Sequence, residues 1–155
     1  MGRKFLVIVD DSPEFEAALR YAARRARSTG GHVALLRVIP KSAFEHWAGV
    51  REEIERELRD EAQRLLQRYA DMAKERSGSV PVLLVEEGET RAAIRKALEA
   101  EPEIKILVLA AAVGGRGPGP LVSSIAREGF GGAARRLPVT VVPGDLTDDE
   151  IEDLA

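Results

Sequence analysis

Two stretches of the chain carry residue types that could do chemistry. The first is "VIVDDSPEF", where Asp10 and Asp11 follow an apolar run. An acidic pair at the end of a strand can hold Mg²⁺ for phosphoryl transfer. That chemistry also needs an acceptor Asp after the third strand and a Lys after the last. The third apolar segment ends in "VEEGE" and the last reads "PVTVVPGD", with no Lys. The pair therefore reads as a turn whose charges favour the positive end of the next helix. The second stretch is "AAAVGGRGPGPLVSS", Ala110 to Ser124. A glycine-rich loop between a strand and a helix can cradle phosphate on its backbone N–H groups. A nucleotide P-loop opens its helix with Gly-Lys-Ser/Thr, and this loop has no Lys. A dinucleotide fingerprint is expected after the first strand, where "DDSPEF" has no glycine. His32 begins a strand and His46 lies in a helix, neither with a ligand partner nearby. No catalytic triad can be assembled, and Arg116 is the loop's one candidate phosphate contact. The expectation is a protein that is not an enzyme.

These residues need elements to position them. "KFLVIV" (Lys4 to Val9) is a continuous apolar run, as expected of a strand buried on both faces. Ser12 and Pro13 suit the N-cap and first position of a helix with Phe15, Leu19, Ala22, Ala23 and Ala26 at helical spacing. Gly30-Gly31 stops it, and "HVALLRVI" is a second strand. Ser42 and Glu45 have capping-box spacing and open a long helix. Its expected stripe is Phe44, Trp47, Val50, Ile54, Leu58, Leu65, Tyr69 and Met72, up to Gly78. "VPVLLVEE" is a third strand, Thr90 to Ala100 a short helix and "IKILVLAAA" a fourth strand. Leu121 to Leu137 reads as a helix weakened by Gly129, Gly131 and Gly132. "PVTVVP" is the last strand, and Thr147 with Glu150 caps a short final helix.

Strands alternating with helical crossovers imply an α/β fold: one five-stranded parallel open sheet with helices on both faces. The expected organisation is a single domain over residues 1–144 and an acidic tail with a short helix over 145–155. Ligands of such sheets bind beyond the carboxyl ends of the strands, at the switch point. The loops after Val9, Val38 and Ala112 are the places to look.

The 155 residues allow a sizeable core, and the composition is globular, 45% hydrophobic and 32% charged. No apolar run approaches the roughly 18 residues of a membrane span. Acidic residues end the first apolar run too early for a signal peptide, so the expected location is cytoplasmic. Cysteine is absent, which excludes disulfides and thiol chemistry. The net charge is −3, and the segment from Asp145 to Ala155 holds six acids and no base. The remaining charge is too weak and dispersed for a nucleic-acid footprint.

The order of elements, and several segments, resemble the universal stress protein family over nearly the whole chain. "VIVDDSPEFEAALRYAARRA" is similar to the family's first strand, its Asp and the alanine-rich helix. "VALLRVIP", "VEEGETRAAIRKALE", "IKILVLAAA" and "LPVTVVP" are similar to later segments, in order. The family is an α/β sandwich, usually a homodimer, and one branch binds ATP. That branch carries Gly, two residues, Gly, nine residues, then Gly followed by Ser or Thr. Placing the fourth strands together puts these positions at Ala110, Val113 and Ser123-Ser124. The spacing survives and Ser124 matches, while all three glycines are replaced. A register starting from Gly114 and Gly117 fails at Arg127-Glu128.

The resemblance implies a homodimeric binding or regulatory module, paired through the last strand, Pro138 to Pro143, with protein partners left unnamed. If an adenine nucleotide such as ATP binds, Asp10 and Val38 face the adenine. Ser123, Ser124 and the amides around Gly114, Gly115 and Gly117 then face phosphate. A Cβ at Val113 crowds that approach, and Pro118 and Pro120 remove two donors. Two other readings stay open: a dimeric interaction module that binds no nucleotide, and a weak nucleotide hydrolase.

Overall fold

The computed structural model describes residues 2–44, 51–115, 117–129 and 135–155. Glu45, His46, Trp47, Val50, Arg116, Gly131 and Gly132 lie outside the described residues. The elements are β1 (Lys4–Ile8), α1 (Phe15–Thr29), β2 (His32–Ile39), a 3₁₀ turn (Lys41–Ala43), α2 (Arg51–Ser77), β3 (Val82–Glu87), α3 (Thr90–Ala100), β4 (Ile104–Ala111), α4 (Pro120–Glu128), β5 (Val139–Pro143) and α5 (Asp148–Leu154). The five strands form one parallel sheet in the order β3-β2-β1-β4-β5.

The central strands are mostly apolar because both of their faces are covered. Phe5, Val7, Leu35 and Val108 pack under α1, α2 and α5, in a cluster with Leu19, Leu66 and Ile151. Leu6, Ile8, Leu36 and Leu107 face the other way, against Ile94 and Leu98 of α3 and Ile125 of α4. The inner face of α1 is mostly alanine: Ala18, Ala22, Ala23 and Ala26 are buried. Small side chains there let the helix lie close to the sheet. Gly30, at φ 70°, ends α1 in the left-handed region, with its N–H bonded to the Ala26 carbonyl.

Three local expectations are corrected. Ser12 does not cap α1: its N–H and hydroxyl both donate to Asp10 Oδ1, the N–H at 2.9 Å. This aspartate turn takes up Ser12, and the helix begins at Phe15, after Glu14. The fully buried stripe of α2 is Ala62, Leu66, Ala70 and Ala73. The larger Ile54, Leu58, Leu65, Tyr69 and Met72 sit half-buried on its shoulders, with the Tyr69 ring edge-on to Phe15 at 4.7 Å. Helix α4 stops at Glu128, because Gly129 turns to φ 64°. Arg135, Arg136 and Leu137 are not helical.

The acidic C-terminal segment is packed rather than loose. Leu146 and Ile151 are buried in the α1-side core. Asp148 pairs with Arg20 (2.8 Å) and Arg76 (3.3 Å), and Glu152 pairs with Arg24 (2.8 Å). Thr147 and Glu150 form the expected capping box. Among the described residues, no helix is long and apolar enough to cross a membrane.

Candidate functional site

The crossovers that leave β1 run one way across the sheet, and those that reach β5 run the other, so β1 and β4 flank the switch point. Beyond their carboxyl ends lies a cavity of about 90 Å³. Asp10, Ser12 and Glu14 come to it from the β1–α1 turn, and Ala110 from β4. Pro118, Gly119 and Pro120 form the side facing them, followed by Leu121 and Val122.

The glycine-rich loop is pinned at its base. The Ala112 N–H donates to the Pro118 carbonyl at 2.9 Å, and Val113, Gly114, Gly115 and Gly117 stand outside the cavity lining. Gly114 (φ 72°) and Gly117 (φ 80°) take the left-handed conformations that this turn needs. Val113 is 55% exposed at its tip. Gly119, at φ 99° and ψ 161°, occupies a region open almost exclusively to glycine, and it redirects the chain into α4 with Pro120 at the first position.

Asp10 and Ala110 therefore meet in the cavity. Val113, Gly114, Gly115 and Gly117 do not line it, nor do Ser123 and Ser124, which lie within α4. The Ser123 N–H is already bonded to the Gly119 carbonyl at 3.0 Å. The amides left over in the first turn are those of Leu121 and Val122, because Pro120 has none. Val38 lies elsewhere. It lines a separate cleft of about 460 Å³ between the end of β2 and α2, together with Arg37, Leu58 and Leu65.

The described residues give the switch point a negative charge. Asp10 and Glu14 line the cavity, and among the described residues no Lys or Arg does. Among the described residues there is also no group of three or more metal-ligating side chains. Ser12 Oγ is held by Asp10, and among the described residues no histidine lines the cavity.

One residue of the site escapes a reading by motif. A Cβ on Gly144 would overlap the Ala111 carbonyl oxygen and stand 2.6 Å from Glu14 Cβ. Gly144 thus lets the end of β5, the end of β4 and the β1–α1 turn close on one another. Its only sequence signal is the Pro-Gly-Asp turn after the last strand.

The universal stress protein family model matches residues 1–130. No curated protein matches the chain by sequence. Solved structures with the same architecture include the universal stress protein UspA from Lactobacillus plantarum, at TM-score 0.71 and 20% identity over 90% of this chain and 97% of that one. Another is a universal stress protein from Archaeoglobus fulgidus, at TM-score 0.62 and 19% identity over 92% and 94%. A third is a universal stress protein in complex with cAMP, at TM-score 0.62 and 15% identity over 92% and 98%. At these identities the structural likeness speaks for the fold, and the family match rests on the sequence. The chain belongs to the universal stress protein family.

Proposed function

We propose that this chain is a non-catalytic regulatory module that works as a homodimer, and that its switch-point cleft does not take ATP. The observation that carries the reading is the cavity beside Asp10. Its volume of about 90 Å³ falls well below the roughly 300–1,000 Å³ of ordinary ligand pockets. Chemistry agrees with size. The carboxylates of Asp10 and Glu14 repel phosphate, while Pro118 and Pro120 offer no N–H to bind it.

A smaller nucleotide is the second reading. It is favoured by the Leu121 and Val122 amides at the cavity and by the cAMP held by one structural neighbour. Calorimetric titration with ATP, cAMP and inorganic phosphate separates the two. The proposal expects no saturable heat from any of them. Saturation by cAMP alone favours the second reading, and micromolar ATP binding overturns the first. Magnesium-dependent phosphate release from ATP would contradict the non-catalytic role.

The homodimer reading rests on β5. It is an edge strand whose one sheet neighbour among the described residues is β4, and Val141 on it is 45% exposed. An apolar edge invites a second strand, and a two-fold axis closes the contact.

A further inference from the structure

Arg37 breaks the pattern of β2. Its neighbours on the same face, Leu35 and Ile39, are buried under α1 and α2, where strand alternation calls for an apolar residue. The Arg37 side chain is nevertheless only 22% exposed. Its Nη1 donates to the Val9 carbonyl at 3.0 Å and to Asp11 Oδ1 at 3.3 Å. Its Nε and Nη2 make no hydrogen bond among the described residues. A half-buried guanidinium, held at one corner with its other donors unspent, is poised to take an acceptor.

Arg37 lines the cleft of about 460 Å³ between the end of β2 and α2. Leu58, Ala62 and Leu65 of α2 and Ile39 of β2 give this cleft an apolar wall. Arg64 and Arg68 stand at its exposed rim on α2, with Asp11 and Glu61 as the acidic groups. No ion pair engages Arg64 or Arg68 among the described residues. Among the described residues, three arginines against two carboxylates leave one net positive charge. This balance suits a singly charged ligand and is too small for a triphosphate.

We infer that the Arg37 cleft is a binding site for a small monoanion with an apolar body, its carboxylate or equivalent head on Arg37 and its body against Leu58 and Leu65. The volume matches an ordinary small-molecule pocket. Among the described residues, the cleft shares no lining residue with the switch-point cavity, so the inference stands or falls independently of the reading given to Asp10.

The probe is 1-naphthoate, titrated calorimetrically at low salt into the full chain, with the neutral 1-naphthalenemethanol as control. The expected result is one site per chain and naphthoate binding at least about tenfold tighter than the alcohol, the scale of a charge-assisted hydrogen bond. Arg37→Met should weaken naphthoate at least tenfold and leave the alcohol unchanged. If Arg37→Met fails to fold, a double variant with Arg64→Ala and Arg68→Ala, both exposed on α2, should still weaken naphthoate severalfold. Equal affinity for acid and alcohol, naphthoate affinity untouched by the arginine changes, or no naphthoate binding at millimolar concentration would each overturn the inference.

Discussion

The Ala112 amide donates to the Pro118 carbonyl at 2.9 Å, and this bond closes the base of the glycine-rich loop. It spends an amide at the end of β4 on the loop itself. It also sets the Pro118-Gly119-Pro120 segment against the turn that bears Asp10 and Glu14. Pro118, Gly119 and Pro120 thereby form one side of the cavity beside Asp10.

Gly119→Ala should disturb this segment. Among the described residues a Cβ there meets only Ala112, its Cβ at 3.5 Å and its amide nitrogen at 4.0 Å, so the obstacle is backbone strain rather than overlap. At φ 99° and ψ 161° the cost should be about 1–3 kcal/mol. Chemical denaturation would show this as a lower midpoint with an unchanged slope. Stability equal to wild type would mean that the loop relaxes freely.

Arg135 should matter far from the site. Its guanidinium donates to the carbonyls of Ile104 (2.7 Å), Leu98 (3.0 Å) and Glu101 (3.3 Å). It thus satisfies acceptors at the C-terminus of α3 and the start of β4, where the helix has no further partners of its own. Arg135→Ala should cost about 1.5–3 kcal/mol by thermal or chemical unfolding. Arg135→Lys should recover part of that, because an ammonium cannot reach all three carbonyls at once.

Asp148 makes the attachment of α5 dependent on pH. Hydrogen bonds from Arg20, then Arg76, hold its carboxyl below the ordinary aspartate range. A carboxylate whose pKa is depressed by folding adds stability above its unfolded value and loses it as pH falls through the folded one. Wild type should therefore be more stable than Asp148→Asn at neutral pH. The two should converge below the ordinary aspartate pKa of about 4. Denaturation midpoints measured from pH 7 down to pH 3 test this, and a gap that does not change with pH would refute it.

The edge strand can be tested by choosing which amide to remove. Leu107 N–H bonds the Pro138 carbonyl, and Leu107 is in register with Val139. Strand groups alternate in direction, so Thr140 faces β4 while Val139 and Val141 point to the open edge. Val141→Pro should therefore convert the dimer to a folded monomer. Thr140→Pro should instead cut the β4–β5 ladder. Sedimentation and circular dichroism of both variants distinguish these effects, and a monomeric wild type at tens of micromolar would end the dimer proposal.

The sheet was legible because its strands are mostly apolar runs, and "HVALLRVI" coincides with the whole of β2. Helix α3 from Thr90 to Ala100 and the Thr147–Glu150 box also lie where their local signals put them. What stayed hidden depends on competition or on distance. Ser12 is a good cap by type, but Asp10 competes for it two residues away. Arg135 looks like any surface arginine until the fold brings Leu98 and Ile104 beside it. Asp10 and Val38 end neighbouring regions of the sheet yet line two different clefts, a division that no spacing along the chain encodes.

The most direct test of the closed switch point is an amide NMR titration of ¹⁵N-labelled protein with Mg·ATP, following Gly119, Leu121 and Val122. The account expects these signals to hold their positions up to about 1 mM ATP, an affinity weaker than about −4 kcal/mol. Shifts of all three that saturate at micromolar ATP would contradict it, because the cavity beside Asp10 would then have opened to take the triphosphate.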